Sequence, residues 1–220
     1  MRICGVSLIQ NMVSREISQS LMTMPWGTHA MLVYDTQENK RDVLFSHLKL
    51  GAGKNRLVYV GTEEEPSAIR SEMNEFGVDV EGLEKNGDLS VKNYDEVYIV
   101  DGEVDASRII SGFSELSDDA RRSGKEGIRA SAEMSCFLRA RKVDELVDYE
   151  RALDPVFNFP GKGICGYSLL EMEKAHSLEI LWPVIKAHSL VIMTGPRGSF
   201  ALKQESVNRD LVETTMGIEA

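Results

Sequence analysis

The stretch His29-Ala-Met-Leu-Val-Tyr34 runs directly into Asp35-Thr36-Gln37-Glu38-Asn39-Lys40 and then into a helical segment. The first part reads as a buried strand over 29–34, and the second leads into a helix over 39–50. A strand that opens into a helix is the first half of an α/β unit. In a nucleotide-binding unit this junction needs glycines, so that backbone N–H groups can close on phosphate, followed by Lys and Ser/Thr. Here the junction has no Gly and carries two carboxylates, Asp35 and Glu38. The pattern is the scaffold of an NTPase turned to something other than NTP hydrolysis.

Further along the chain, strands and helices alternate. Arg56–Val60 is a buried strand. Pro66–Phe76 is a helix with Pro at its start and Gly77 just past its end. Asp88–Val91 is a short strand, and Glu96–Val100 is a strand or a lead-in. Asp105–Arg122 is a helix, Ile128–Met134 a strand and Phe137–Leu153 one helix. Gly163–Tyr167 is a strand, Leu169–Ala187 one helix and Leu190–Met193 a strand. Phe200–Leu202 is a last short strand. This alternation predicts a mostly parallel sheet with helices on both faces. Ligands of such sheets sit outside the carboxyl ends of the strands. Residues 1–25 read as a helical prefix with Val13, Ile17 and Leu21 on one face, a candidate movable element. Residues 26–203 form the α/β domain, and 204–220 read as a loose polar tail.

The 220 residues suffice for one domain with its own core. A net charge of −10 disfavours direct nucleic-acid binding, which needs a basic face. The densest basic stretch, Arg139-Ala-Arg141-Lys142, stands beside Asp144, Glu145 and Asp148 and reads as a solvated helix face. Cys4, Cys136 and Cys165 form no CxxC and follow no signal peptide, which fits reduced thiols and a cytoplasmic location. No apolar run approaches the ~20 residues of a membrane span.

Gly51-Ala-Gly53-Lys54 imitates the core of a phosphate loop, yet Asn55 follows the Lys and Leu48 stands where the first Gly belongs. The segment also follows a helix and precedes a strand, so it reads as a helix-ending turn at the wrong sheet edge. Glu63-Glu64-Glu65 follows the second strand and falls at the ligand edge. An acidic helix start explains one or two of these carboxylates. As a cluster they also suit a cation, a polarised water or a hydrogen-bonded ligand. Glu133, late in a buried strand, is costly unless paired or solvated at a cleft. Arg129 is four residues earlier on the same strand face, so a pair between them, structural or site-forming, is expected. Cys165 reads as a packing residue with no base supplied for it. His29 and His188 each precede a strand and fall together at the amino edge, where structural roles are expected. Neither His47 nor His176 makes a metal-ligand spacing, so no metal and no cofactor is expected.

His29–Tyr34, Gly51, Arg56–Val60, Gly127–Met134, Tyr149–Leu153, Gly163–Tyr167 and Lys186-Ala-His188 together resemble the MEDS domain, the methanogen/methylotroph sensory domain found in the dichloromethane-responsive regulator. The resemblance covers roughly residues 26–195. That family is in turn similar to RecA/KaiC-type ATPases that have lost the phosphate loop. Val60-Gly-Thr-Glu63-Glu64 resembles the acidic pair after their second strand, and Glu133 falls where their metal-supporting acid falls. The resemblance implies a sensor for small organic compounds of one-carbon metabolism, joined in relatives to DNA-binding or kinase modules.

The expected molecule is a RecA-like α/β domain with a degenerate phosphate loop, acting as a ligand-binding regulatory module without NTP hydrolysis or other catalysis. Its expected pocket is Tyr34, Asp35, Glu63, Glu64, Arg129, Glu133 and Tyr167. Its expected partners are a small organic ligand and a regulatory protein, with self-association open and neither nucleic acid nor membrane involved. A KaiC-like ATP-binding regulator is one alternative. An enzyme using Glu63 and Glu64 as general base is the other.

Overall fold

The computed structural model describes residues 14–62, 64–153 and 156–217. In chain order the elements are α1 (Arg15–Thr23), β1 (His29–Tyr34), α2 (Gln37–Lys49), β2 (Arg56–Gly61), α3 (Pro66–Glu75), α4 (Val80–Lys85), β3 (Leu89–Asn93), β4 (Ile99–Val100), β5 (Glu103–Val104), α5 (Ala106–Arg122), β6 (Ile128–Glu133), α6 (Ser135–Arg139), α7 (Val143–Leu153), β7 (Gly161–Ser168), α8 (Leu169–Lys174), α9 (Leu181–Lys186), β8 (Leu190–Gly195), β9 (Gly198–Lys203) and α10 (Arg209–Met216). Seven strands form one sheet in the order β3-β2-β6-β7-β1-β8-β9, while β4 and β5 make a separate hairpin. All neighbours in the large sheet are parallel except β8 and β9.

Period-two alternation divides the sheet into two cores. Met31, Val33, Val58, Val60, Ala132, Cys165, Tyr167, Val191 and Met193 face a layer that includes α5, α6, α7, α9 and α10. Ala30, Leu32, Tyr34, Leu57, Tyr59, Ile164 and Ile192 face α1, α2 and α3. With both faces covered, all six positions of β1 are buried, which is why it reads as a continuous apolar run.

Helix starts follow side-chain chemistry. Ser14, Thr36, Asp105, Ser168 and Asn208 each accept a backbone N–H of the first turn they precede. Two long helices of the sequence reading are broken. Arg141 at φ 59° separates α6 from α7, and His176 at φ 51° falls between α8 and α9. The left-handed conformation turns the chain so that both halves keep an apolar face on the sheet.

The two ends of the chain also differ from expectation. Ile17 and Leu21 of α1 are buried in the same core as α2, so the prefix helix is built into the domain. Val13 and Cys4 lie outside the described residues. The segment expected to be a loose tail contains α10, which buries Val212, Thr215 and Met216 and closes with Gly217 at φ 70°. No helix among the described residues is long and apolar enough to cross a membrane.

Candidate functional site

The carboxyl edge of the sheet is occupied by a network of charges. Only Asp35 and Thr36 connect β1 to α2. Lys40 therefore falls in the first turns of α2, fully buried, with its Nζ 3.1 Å from Glu133 Oε1 and 3.7 Å from Glu64 Oε2. Glu133 Oε1 also accepts the Tyr59 hydroxyl. Its Oε2 accepts the backbone N–H of Thr62 at 3.1 Å and the Thr62 hydroxyl at 3.2 Å. Burial, followed by the Glu133 charge, pushes the Tyr59 phenol well above its ordinary value, so Tyr59 remains a donor. Arg41 bridges Glu64, at 3.2 Å, and Glu72. Arg139 extends the network, donating to Thr62 Oγ1 at 3.3 Å.

This network brings Glu64 and Glu133 of the expected pocket together. Asp35 stands close by at the start of α2, where it accepts from Asn39 at 2.7 Å. Tyr34 is buried in the core on the α2 side. Glu63 lies outside the described residues.

The expected Arg129–Glu133 pair does not form. Four residues along a strand span roughly 13 Å, so a shared face does not give contact. Helix α2 crosses that face and supplies separate partners. Lys40 near its start meets Glu133, and near its end the His47 carbonyl accepts from Arg129 Nη1 at 3.0 Å. Arg129 also donates to Asn55 at 3.2 Å, and its side chain packs on Gly51, where a Cβ would stand 2.5 Å from Arg129 Cδ. Gly51 is thus required by close approach at the amino edge.

Tyr167 is also displaced from the expected pocket. Its side chain points to the other face of the sheet, into the core under α7 and α9, and its hydroxyl donates to Glu150 Oε1. Glu150 Oε2 lies 3.1 Å from His29 Nε2 and 3.5 Å from His188 Nε2, and Cys165 Sγ lies 3.5 Å from the same His29 nitrogen. The four side chains are buried, and their donor atoms all lie within 4.8 Å of one another. Burial opposes ionisation of Glu150, yet the two imidazoles and the Tyr167 hydroxyl outweigh it and hold the carboxyl below its ordinary value. Burial, then the neighbouring His29, pushes His188 down to about 3, which leaves its imidazole neutral. Burial, then Glu150, raises the Cys165 thiol well above its usual value. Among the described residues, this is the group whose chemistry suits a metal ion.

Glu150 was missed in the sequence, although it sits on the apolar stripe Leu146, Tyr149, Leu153 at helical spacing. Lys40, three and four residues before Val43 and Leu44, carries the same signal.

Beside Cys165 lies a small apolar cavity of about 20 Å³, room for little more than one water-sized group. Tyr98, Phe113, Ala130, Tyr149, Phe157 and Phe159 contribute to its walls. Phe113, Ala130 and Phe157 are half-buried, which leaves the cavity close to the surface.

Two solved structures from Pyrococcus horikoshii OT3 share the fold. One, known from a structural study, has a TM-score of 0.57 at 10% identity, covering 89% of this chain and 94% of that one. The other, a KaiC-like protein, has a TM-score of 0.52 at 18% identity, covering 77% and 73%. Curated protein sequences return no match. A family model described as the methanogen/methylotroph, DcmR sensory domain matches residues 28–183. The architecture is RecA-like, and the chain belongs to the MEDS sensory-domain family.

Proposed function

We propose that this sensory module recognises an apolar one-carbon compound, or one of similar size, and acts by changing a contact with a regulatory protein. The cavity lined by Tyr98, Phe113, Tyr149, Phe157, Phe159 and Cys165 carries this reading. Its aromatic walls favour an apolar ligand, and because the closed cavity holds little more than a water-sized group, a halogenated one-carbon compound enters by displacing the half-buried Phe113 and Phe157. The reading moves the ligand from the carboxyl edge to the α5–α7 side of the sheet. It also has the chain neither hydrolysing NTP nor catalysing another reaction. Two features support that part: the two-residue connection between β1 and α2, and the tie of Lys40 to Glu133.

The test is thermal unfolding with dichloromethane as probe. Dichloromethane is expected to raise the midpoint of the parent chain in a saturable way. Ala130→Leu, which fills the cavity, should remove the shift while circular dichroism remains that of the parent. Phe113→Ala, which enlarges it, should extend the response to a larger apolar probe such as benzene. An equal response in Ala130→Leu would reject this cavity as the ligand site.

A further inference from the structure

We propose that His29, Glu150, Cys165 and His188 form a closed site for one borderline-soft divalent transition-metal ion, zinc first. The four residues come from four separate parts of the fold. His29 opens β1, Cys165 lies within β7, His188 ends the turn before β8, and Glu150 projects from α7. Their spread along the chain leaves no local spacing motif, so only the folded molecule brings them together.

The distances fit a metal ion. Zn–N and Zn–O bonds near 2.0–2.2 Å and a Zn–S bond near 2.3 Å put tetrahedral ligand atoms roughly 3.2–3.7 Å apart. Two of the separations here, 3.5 and 3.5 Å, fall in that range and a third, 3.1 Å, lies just below it, while all four donor atoms lie within 4.8 Å of one another, so a bound ion would draw the set slightly inward. A set of two imidazoles, a thiolate and a carboxylate suits zinc better than magnesium or calcium, which prefer all-oxygen shells.

The surrounding hydrogen bonds aim the donors inward. His188 Nδ1 lies 2.7 Å from the Val184 carbonyl, which can only accept, so this nitrogen carries the hydrogen. In the neutral ring Nε2 then presents a lone pair toward the centre. The Tyr167 hydroxyl occupies Glu150 Oε1 and leaves Oε2 facing the same point. A lone pair on nitrogen therefore faces a carboxylate oxygen at 3.5 Å; His188 Nε2 is buried without a hydrogen bond, and Glu150 Oε2 has His29 Nε2 beside it at 3.1 Å. Two acceptors in that position repel, and a cation between them converts the repulsion into coordination. Such supports, a carbonyl on imidazole and a donor on carboxylate, are the usual outer shell of a metal site.

A catalytic relay is the competing use of Cys, His and Glu. It needs one ring nitrogen on the nucleophile and the other on the carboxylate. Here the same His29 Nε2 faces both Cys165 and Glu150. That arrangement converges on a point and does not pass a proton along a line. Binding would form the S–metal bond as the Cys165 S–H bond breaks, with the proton released to solvent. The inference is independent of the ligand reading.

The test uses the full chain, purified without an affinity tag or chelator. Elemental analysis is expected to give about one zinc per chain. After chelation, Co²⁺ should restore one equivalent with visible bands of tetrahedral cobalt and a sulfur-to-cobalt charge-transfer band. Cys165→Ser should lose the charge-transfer band, and His188→Gln should weaken Co²⁺ binding by about ten-fold or more. If a variant fails to fold, the parent chain decides. Less than about 0.1 equivalent of zinc or added cobalt in folded parent protein overturns the site. So does a charge-transfer band that survives in Cys165→Ser, because the sulfur would then be another cysteine.

Discussion

Glu133 carries a carboxylate at the end of β6 with no exposed surface, so its cost is set by the groups that face it. Glu133→Gln removes a carboxylate that lies 3.1 Å from Lys40, while Glu64 at 3.7 Å remains. Unbalancing a buried pair should cost on the order of 3 kcal/mol. Lys40→Met with Glu133→Gln should cost less than the single change, because the double variant leaves no uncompensated ammonium. Urea unfolding of the three proteins measures this difference. His47, buried beside Ser131 at 3.2 Å, is held well below 6.5, first by burial and then by the Arg129 and Lys162 charges. The unfolded chain therefore binds a proton that the folded chain refuses. Stability from this residue is complete above pH 6.5 and falls as pH drops below it. Each such histidine contributes a slope of up to about 1.4 kcal/mol per pH unit, and His47→Gln should flatten the acid limb of stability against pH by about that amount. At this scale the sequence revealed which residue was costly but not what relieved it. A carboxylate late in an apolar strand marks Glu133, whereas Lys40 is known as its partner only once α2 crosses β6.

Elements were legible wherever period and punctuation agreed. The β1 and β2 runs and the Pro66 start of α3 were read nearly to the residue. The helix breaks were not, because neither position carries the glycine or asparagine that most often announces a left-handed turn. Arg141→Gly should stabilise the chain by about 0.5–1 kcal/mol, the relief of the turn outweighing the added freedom of the unfolded chain. Scanning calorimetry would register this as a higher midpoint, and a lower one would mean that the Arg141 side chain holds the α6–α7 junction. The two ends were misread for a different reason. Helices α1 and α10 are short and mostly polar, with only a few apolar residues at helical spacing, and their partners β9 and β8 are distant from α1 or themselves late in the chain. Since Leu21 is buried among α2 and sheet residues, Leu21→Ala should cost about 2–5 kcal/mol, as core truncations do. A loss below about 0.5 kcal/mol in urea unfolding would restore α1 as a detachable element.

The whole molecule combines a RecA-like sheet with a net charge of −10 and a carboxyl edge where Lys40 and Arg41 are paired with Glu133, Glu64 and Glu72. In a nucleotide-binding relative of this architecture, the strand-to-helix junction must leave space for phosphates and offer N–H groups and a lysine to them. Here the junction is two residues long, and the lysine nearest the β1 end is buried against Glu133. Releasing Lys40 to a triphosphate would take from buried Glu133 the ammonium that faces it at 3.1 Å. The added anion would also meet Asp35, Glu64 and Glu72 at the same edge. Breaking a buried pair costs on the order of 3–5 kcal/mol, a factor of about 100 or more in affinity. Mg-ATP should therefore bind no more tightly than about 1 mM, and phosphate release should not exceed the uncatalysed background. Calorimetric titration and a phosphate-release assay on the full chain check both expectations. Micromolar affinity would mean that the β1–α2 junction opens and that Lys40 exchanges Glu133 for phosphate, and Lys40→Ala would then abolish the binding.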